Sequence, residues 1–236
     1  MDKEKEVEKK NGTPKYRGAR LVTFRYRIWY RFCWSMVVLV MRLFFFARYR
    51  GTKNIPGKGA ALVVSNHQSF LDPPAIGAGV IRRMNYLARK TLFKFKPFGW
   101  LIDSVNAIPL DQEGIGYAGI KETLRRLKND EMVLIFPEGA RSEDGEIAPF
   151  RTGYIALAIR SRATIVPTAI AGAFEAYPRK HKLPTPFIHP IRIEYGEAMR
   201  YEDYKDIPED ELHQLVENRV RELYEKIRKP RKEKTL

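Results

Sequence analysis

Short apolar runs that alternate with helical periodicity constrain the fold of this chain more than any other feature. Six such runs lie at 60–64, 84–88, 105–109, 132–136, 164–170 and 191–195. Each run has the length and composition of a buried strand. Helical periodicity appears between them at 115–128 and 152–161, and again at 209–228. This alternation predicts an α/β fold in which a largely parallel mixed sheet is covered by helices.

The size and cysteine content of the chain exclude several classes of protein. Its 236 residues, 44% of them hydrophobic, are enough for one α/β domain with an appendage. The lone Cys33 excludes an internal disulfide framework and a cysteine-based zinc site. His181, His189 and His213 have no partner at metal-ligand spacing, so we expect no metal site.

The formal charge of +15 is concentrated near the N-terminus, where an apolar segment is embedded in it. Between Lys9 and Leu71 there are thirteen Lys or Arg residues and no Asp or Glu. The segment 21–50 contains MVVLVMRLFFF, but its longest uncharged run, Phe32 to Met41, is shorter than the roughly 20 residues that cross a bilayer. Three structures fit this segment: a helix docked on the protein core, a single membrane span, and a monotopic anchor.

The composition favours the monotopic anchor on an anionic membrane surface. Basic residues on both sides of the apolar run give a span no clear orientation, whereas basic and aromatic residues suit a helix lying in the interface. An arm that binds nucleic acid would explain the charge but not the aliphatic block, so we expect no nucleic-acid partner. The charged first 20 residues and the lack of a small-residue cleavage site argue against a secretory signal.

A histidine and an aspartate follow the first predicted strand in the stretch SNHQSFLD, at 65–72. Five residues turn a helix by about 140° beyond a full turn, so His67 and Asp72 would face different ways on one helix. Asp72 is a good N-cap and Pro73 suits the first helical position, which places His67 in a loop and starts a helix after Asp72. A strand, a polar loop and a capped helix are typical of a site at the carboxyl end of a sheet.

A second loop, PEGARS at 137–142, follows the strand predicted at 132–136. Gly139 frees the backbone there, and Arg141 projects a planar cation. Such a loop can hold a phosphate group, although an ordinary surface turn has the same composition.

Together these stretches resemble the glycerolipid acyltransferase family. SNHQSFLDP and FPEGARS are similar to its Asn-His-x4-Asp and Phe-Pro-Glu-Gly-Thr-Arg-Ser motifs. The stretch 88–112 is similar to the second block of the family, and TIVPTAI at 164–170 to the fourth. The four blocks follow one another in family order between about 60 and 170. Within the family, the chain is most similar to the 1-acyl-glycerol-3-phosphate acyltransferases, or lysophosphatidic acid acyltransferases.

Two positions depart from the family pattern. Gln112 stands where arginine is usual, so a contact made by that arginine must come from another residue. Ala140 stands where threonine is usual and lacks its hydroxyl group.

The resemblance implies a role for each candidate residue. Transfer of an acyl group from a thioester to an alcohol needs a base near pH 7, which would be His67. Asp72 would hold the imidazole in one tautomer and stabilise its cation, with the substrate alcohol in the place of a serine nucleophile. Lys90 and Arg141 occupy positions of phosphate contacts. Glu138 is predicted to organise the second loop, through backbone amides or through Arg141, beside Gly139.

The resemblance thus implies an O-acyltransferase that makes phosphatidic acid in phospholipid biosynthesis. Lysophosphatidic acid would be the acceptor, acyl-CoA or acyl-carrier protein the donor, and no cofactor is expected. The enzyme would lie at the cytoplasmic face of a membrane. The alternatives are acylation of another lysolipid or of glycerol phosphate, and a non-catalytic protein that binds membranes or nucleic acid.

This interpretation divides the chain into four segments. They are a charged tail at 1–20, a membrane-associated helical segment at 21–50, an acyltransferase domain at 51–228, and a basic disordered tail at 229–236.

Overall fold

The sheet has the predicted mixed, largely parallel topology. A computed structural model describes residues 24–105, 107–110, 117–181 and 183–228. Within these residues seven strands form one sheet: β1 (Arg48–Arg50), β2 (Ala61–Ser65), β3 (Met84–Arg89), β4 (Ala107–Leu110), β5 (Met132–Ile135), β6 (Thr164–Ala171) and β7 (Arg192–Tyr195). Their order across the sheet is β1-β7-β6-β2-β5-β3-β4. Neighbouring strands are parallel except for β6 and β7, so the prediction is confirmed.

Helices cover both faces of this sheet. They are α1 (Phe24–Phe45), α2 (Asp72–Ala78), α3 (Lys96–Ser104), α4 (Tyr117–Lys128), α5 (Gly153–Ser161), α6 (Ala173–Ala176), α7 (Tyr201–Tyr204) and α8 (Glu209–Ile227). Short 3-10 turns lie at Thr52–Asn54 and Lys90–Phe93. The helices predicted at 115–128, 152–161 and 209–228 correspond to α4, α5 and α8.

Strand β2 shows why its sequence is continuously apolar. All five of its residues are buried because the strand lies at the centre of the sheet with helices on both faces. Ala61 and Val63 belong to the core shared with α1 and α2, whereas Leu62 and Val64 belong to the core shared with α5 and α8. Alternate side chains of one strand therefore bind the two helical layers together.

The N-terminal part of the structure differs from the sequence prediction at one boundary. In the described part of the predicted helical segment 21–50, one helix runs from Phe24 to Phe45, while Arg48–Arg50 form edge strand β1, parallel to β7. The helix ends before Phe46, which takes a left-handed φ of 45°. Two residues later the backbone amide of Arg48 donates a hydrogen bond to the carbonyl of Ile191. Pairing with β7 recruits these residues to the sheet. The tails predicted at 1–20 and 229–236 lie outside the described residues, so the division of the chain stays a prediction.

Helices α3, α6 and α7 and strand β1 were not predicted from the sequence. Strand β1 and helices α6 and α7 are only three or four residues long. Helix α3 carries several exposed apolar side chains, which weaken the usual helical pattern.

Candidate active site

Two loops that are distant in sequence meet at one edge of the sheet. The loop of His67 follows β2, and the loop of Glu138 follows β5, its parallel neighbour. The backbone amide of His67 donates to the Glu138 carboxylate at 2.7 Å. The amide of Ser142 in turn donates to the carbonyl of His67 at 2.8 Å. The two sequence motifs therefore form one site, at the carboxyl ends of parallel strands.

The His67 side chain is bonded to Asp72. Its Nδ1 lies 2.7 Å from Asp72 Oδ2, so Nδ1 carries the proton when the ring is neutral and Nε2 is left as the basic atom. The ring stacks on Phe136, with centroids 4.0 Å apart and an interplanar angle of 12°. Because the ring is fixed by a hydrogen bond and a stacking contact, its Nε2 has one direction. The side chain is 18% exposed, which leaves the ring within reach of a substrate.

Asp72 is buried and is held by the loop that precedes it. Its Oδ2 also accepts hydrogen bonds from the backbone amides of Gln68, at 2.5 Å, and Ser69, at 2.7 Å. Three donors thus converge on one carboxylate oxygen, and they fix the orientation of the Asp72 side chain.

The prediction that Asp72 caps the following helix is wrong. Leu71 is the N-cap of α2, and Asp72 is the first helical residue. The carboxylate turns back toward the loop instead of bonding the amides of the helix, because the loop offers two amides and an imidazole. Helix α2 starts with Asp72, Pro73 and Pro74. Proline is tolerated there because the amides of the first helical turn have no hydrogen-bond partner within the helix.

Glu138 organises the second loop through backbone amides, one of the two arrangements predicted from the sequence. One carboxylate oxygen accepts from His67 N and the other accepts from Ala148 N at 3.0 Å. Burial raises the pKa of Glu138 to about 7. The hydrogen bonds from the two amides lower this pKa, and the nearby negative charge of Asp72 raises it. Gly139 follows with a φ of +76°, a backbone conformation that favours glycine.

Arg141 leaves the second loop and lies over Phe70 of the first. Its guanidinium carbon is 3.5 Å from the centre of the Phe70 ring, a cation–π contact. Burial lowers the pKa of Arg141, and the cations of Arg179 and Arg89 lower it further. Among the described residues no carboxylate forms an ion pair with Arg141. The site therefore presents concentrated positive charge beside His67.

Arg179 is held at this site by two contacts of its own segment. It forms an ion pair with Glu143 at 3.0 Å, two residues beyond Arg141. Upstream, the carbonyl of Tyr177 accepts a hydrogen bond from the Ser69 hydroxyl at 2.8 Å.

Lys90 lies at the carboxyl end of β3, where it begins a 3-10 turn and is exposed. Strand β3 is parallel to β5, so Lys90 leaves the same edge of the sheet as the His67 and Glu138 loops. Gln112, the departure from the family pattern, falls outside the described residues. Within the described part of the chain, no group of three or more His, Cys, Asp or Glu side chains could hold a metal ion.

Four residues of the site were missed by reasoning from the sequence. Asn66 exchanges two hydrogen bonds of 2.9 Å with the backbone of Ile170 and so ties the loop to β6. Phe136 supports the imidazole, and Phe70 supports Arg141. An aromatic residue inside or beside each polar motif was the available signal for these two. Arg179 had none, since it lies about 40 residues beyond the second loop.

The fold and this site place the chain among the acyltransferases. The acyltransferase family model matches residues 47–171, which include both loops, and the chain belongs to that family. The 1-acyl-sn-glycerol-3-phosphate acyltransferase of Bacillus subtilis is 26% identical over 205 residues, which cover 84% of this chain and 98% of that protein. The human alpha form of that enzyme is 30% identical over 138 residues, 56% of this chain and 48% of the human protein.

A solved structure is similar along most of the chain. The crystal structure of the 1-acyl-sn-glycerophosphate acyltransferase PlsC from Thermotoga maritima matches with a TM-score of 0.70 at 25% identity. The match covers 86% of this chain and 82% of the Thermotoga chain. This chain spans only 38% of a chloroplast relative from Brassica napus, in contrast to its nearly complete match with the Bacillus protein.

Proposed function

We propose that this acyltransferase moves a fatty acyl group onto the free hydroxyl of 1-acyl-glycerol-3-phosphate and so makes phosphatidic acid. The observation that carries the proposal is the 2.7 Å contact between His67 Nδ1 and the buried carboxylate of Asp72, on a ring that stays partly exposed. The relatives named above support the acceptor, since all of them carry 1-acyl-sn-glycerol-3-phosphate or its synonym in their names.

In the proposed reaction His67 acts as general base. Nε2 takes the proton of the acceptor hydroxyl while the hydroxyl oxygen attacks the thioester carbonyl of the donor. Asp72 stabilises the imidazolium that results, because its carboxylate is already bonded to the other ring nitrogen. When the tetrahedral intermediate collapses, the carbon–sulfur bond breaks and the leaving thiolate receives the proton from the imidazolium. The proton and the acyl group thus both change partners without an acyl-enzyme.

The acceptor phosphate is assigned to Arg141, with Lys90 as a second contact. A guanidinium offers paired donors that match a phosphate, and Arg141 keeps its charge without a carboxylate partner among the described residues. Burial lowers the pKa of Arg141, and the cations of Arg179 and Arg89 lower it further. A bound phosphate dianion would offset the repulsion among these cations. Glu138 fixes the backbone between base and cation, because both of its carboxylate oxygens accept hydrogen bonds from backbone amides.

The donor is acyl-CoA or acyl-carrier protein, and the setting is phospholipid biosynthesis at the cytoplasmic face of a membrane. Among the described helices, α1 has a stretch, Arg27–Phe45, that is long and apolar enough to cross a membrane, with a mean hydropathy of 1.5. Basic residues around it suit an anionic leaflet.

The direct test is purified full-length protein with 1-acyl-glycerol-3-phosphate and palmitoyl-CoA, following the release of free thiol and the formation of phosphatidic acid. We expect thiol release that depends on the acceptor, and a much lower rate with glycerol phosphate. A faster reaction with glycerol phosphate or another lysolipid would assign the enzyme to that acceptor. A protein that binds vesicles in a salt-sensitive manner and consumes no thioester would be a binding protein.

A further inference from the structure

Helix α1 has an apolar face on both sides. One side packs on the domain through Tyr30, Met41 and Phe45, which are buried. The opposite side carries a row of apolar side chains that are 43–55% exposed, Ile28, Phe32, Met36, Leu39 and Leu43. On a regular helix these five positions fall within about 80° of one another, so they form a single stripe. We call this row the outer stripe.

Each end of α1 contacts another exposed apolar segment. Near its N-terminal end, the ring of Trp29 lies 5.5 Å from Trp100 of α3. Trp100 is itself exposed, as are Phe95 and Phe98 beside it. The outer stripe therefore continues onto the segment 95–101.

The C-terminal end of α1 has the same arrangement. The Phe44 ring lies 5.0 Å from Phe187, and the amide of Phe187 donates to the Phe44 carbonyl at 2.6 Å. Around Phe187, Leu183 is 76% exposed and Ile188 is 65% exposed. Two segments from distant parts of the sequence thus extend the stripe at its two ends. We call the three parts together the docking face.

The charges around the docking face are predominantly positive, although the exposed carboxylate of Asp103 lies at its border on α3. From Phe24 to Leu101 the only carboxylate is that of Asp72, which is buried at the candidate active site. Exposed Arg27, Arg31 and Arg42 lie along one flank of the stripe. The sequence from 183 to 192 also contains no Asp or Glu. A large exposed apolar surface edged by cations is complementary to an anionic lipid surface.

We propose that the segments 95–101 and 183–188 dock on an anionic bilayer together with the outer stripe of α1. The inference goes beyond the membrane association proposed above, because it assigns two membrane-contacting segments outside the N-terminal helix. Helix α1 is fixed along the domain, since Trp34 donates to the Gly77 carbonyl at 3.2 Å and the Tyr30 hydroxyl accepts from the Met84 amide at 3.2 Å. Helix α1 therefore lies along the membrane plane, and the membrane-contacting segments at its two ends set the orientation of the whole domain.

The test is flotation of full-length protein with vesicles of phosphatidylglycerol and phosphatidylcholine, compared with phosphatidylcholine alone, without substrate. Two double variants probe the two membrane-contacting segments independently: Leu183→Ser with Ile188→Ser, and Phe95→Ser with Phe98→Ser. The matched control is Ile120→Ser, because Ile120 is exposed on α4, whose buried Leu127 packs against the opposite face of the sheet. Melting temperatures show which variants are folded, and either folded double variant is sufficient.

We expect wild type to prefer the anionic vesicles and each folded double variant to lose at least about tenfold in partitioning, while the control is unchanged. The proposal is overturned if the double variants bind like wild type or if the control loses as much. Sedimentation without lipid gives a further check. A dimer that dissociates in the Leu183→Ser, Ile188→Ser variant would show that a second copy of the chain covers this face. Since no acyl transfer is measured, failure here leaves the proposed activity unaffected.

Discussion

The two loops of the candidate site differ in how many of their polar groups are already bonded within the protein. In the first loop, Asp72 Oδ2 accepts three hydrogen bonds, and Asn66 bonds the backbone of β6 through both its amide atoms. In the second loop, both carboxylate oxygens of Glu138 accept hydrogen bonds from backbone amides. The guanidinium of Arg141, however, lies over an aromatic ring, and Gly139 and Ala140 are exposed.

This difference separates two tasks of an active site. A base must hold its orientation to within a small angle, so its neighbours have to be bonded before the substrate arrives. A residue that binds a charged substrate must instead keep donors available, because its own partner is the ligand. The first loop therefore has the properties of catalytic machinery, and Arg141 those of a recognition residue.

The largest expected effect is the loss of the base in the first loop. His67→Ala should lower kcat by about 10² to 10⁴, the range for general base catalysis, and leave the KM for the acceptor little changed. Asp72→Asn should also be severely impaired, because an amide cannot stabilise the imidazolium. Steady-state rates of thiol release measure both. Near-normal turnover of His67→Ala would falsify the assignment of the base.

Loss of the guanidinium in the second loop should affect binding more than turnover. Arg141→Ala should cost about 2 to 5 kcal/mol in kcat/KM, much of it through KM. Arg141→Lys keeps the charge but not the planar pair of donors, so it should recover part of the loss. Lys90→Ala should show a smaller defect of the same kind. If Arg141→Lys were as poor as the alanine variant in kcat with KM unchanged, recognition of phosphate would be the wrong role.

Glu138 allows the stability of the contact between the loops to be tested by pH. Its pKa is raised to about 7 in the folded protein, so the folded state binds more protons than the unfolded state between about pH 4.5 and 7. The contribution of Glu138 to stability should therefore fall as the pH rises through this window, by at most about 3 kcal/mol.

The measurement is the free energy of unfolding of wild type and Glu138→Gln at several pH values. Glutamine does not titrate, so wild type should lose stability relative to the variant as the pH rises. Parallel pH profiles of the two proteins would show that burial does not raise the pKa of Glu138 in the folded state.

The smallest effect is expected for Arg179, which the sequence did not identify. Because Arg179 already pairs with Glu143, its share in phosphate binding should be modest. Arg179→Ala should raise the KM for 1-acyl-glycerol-3-phosphate by about tenfold, a difference of about 1.4 kcal/mol in binding, with kcat retained. Lys180→Ala is a matched control, since Lys180 is the exposed neighbouring cation. An equal effect of the two substitutions would indicate general charge and not a specific contact.

The sequence predicted the parts of the fold and site that depend on local pattern. The six predicted strands lie where their apolar runs indicated. The signal is clearest for β2, β5 and β6, which are almost continuously buried at the centre of the sheet. Asp72 was expected near His67, but its role as a helix cap was wrong because the competing donors, two amides of its own loop, are not visible in a residue pattern. Strand β1 was missed because Arg48–Arg50 pair with residues that are about 140 positions away.

Contacts between the loops and the surrounding chain were equally inaccessible to local reasoning. The stacking of His67 on Phe136 and of Arg141 on Phe70 depends on how the ends of β2 and β5 are aligned in the sheet. Arg179 reaches the site through a segment beyond β6, and no periodicity or motif marks it. These residues had to be found in three dimensions.

The division of labour between the two loops is tested most directly by one set of kcat/KM values. His67→Ala and Arg141→Ala would each be compared with wild type using 1-acyl-glycerol-3-phosphate and using monoacylglycerol, which lacks the phosphate group. We expect His67→Ala to lower kcat/KM for both acceptors by the same factor, and Arg141→Ala to lower it for the phosphate-bearing acceptor alone. Equal losses on both acceptors in the Arg141→Ala variant would rule out this role, because Arg141 would then organise the loop and not bind phosphate.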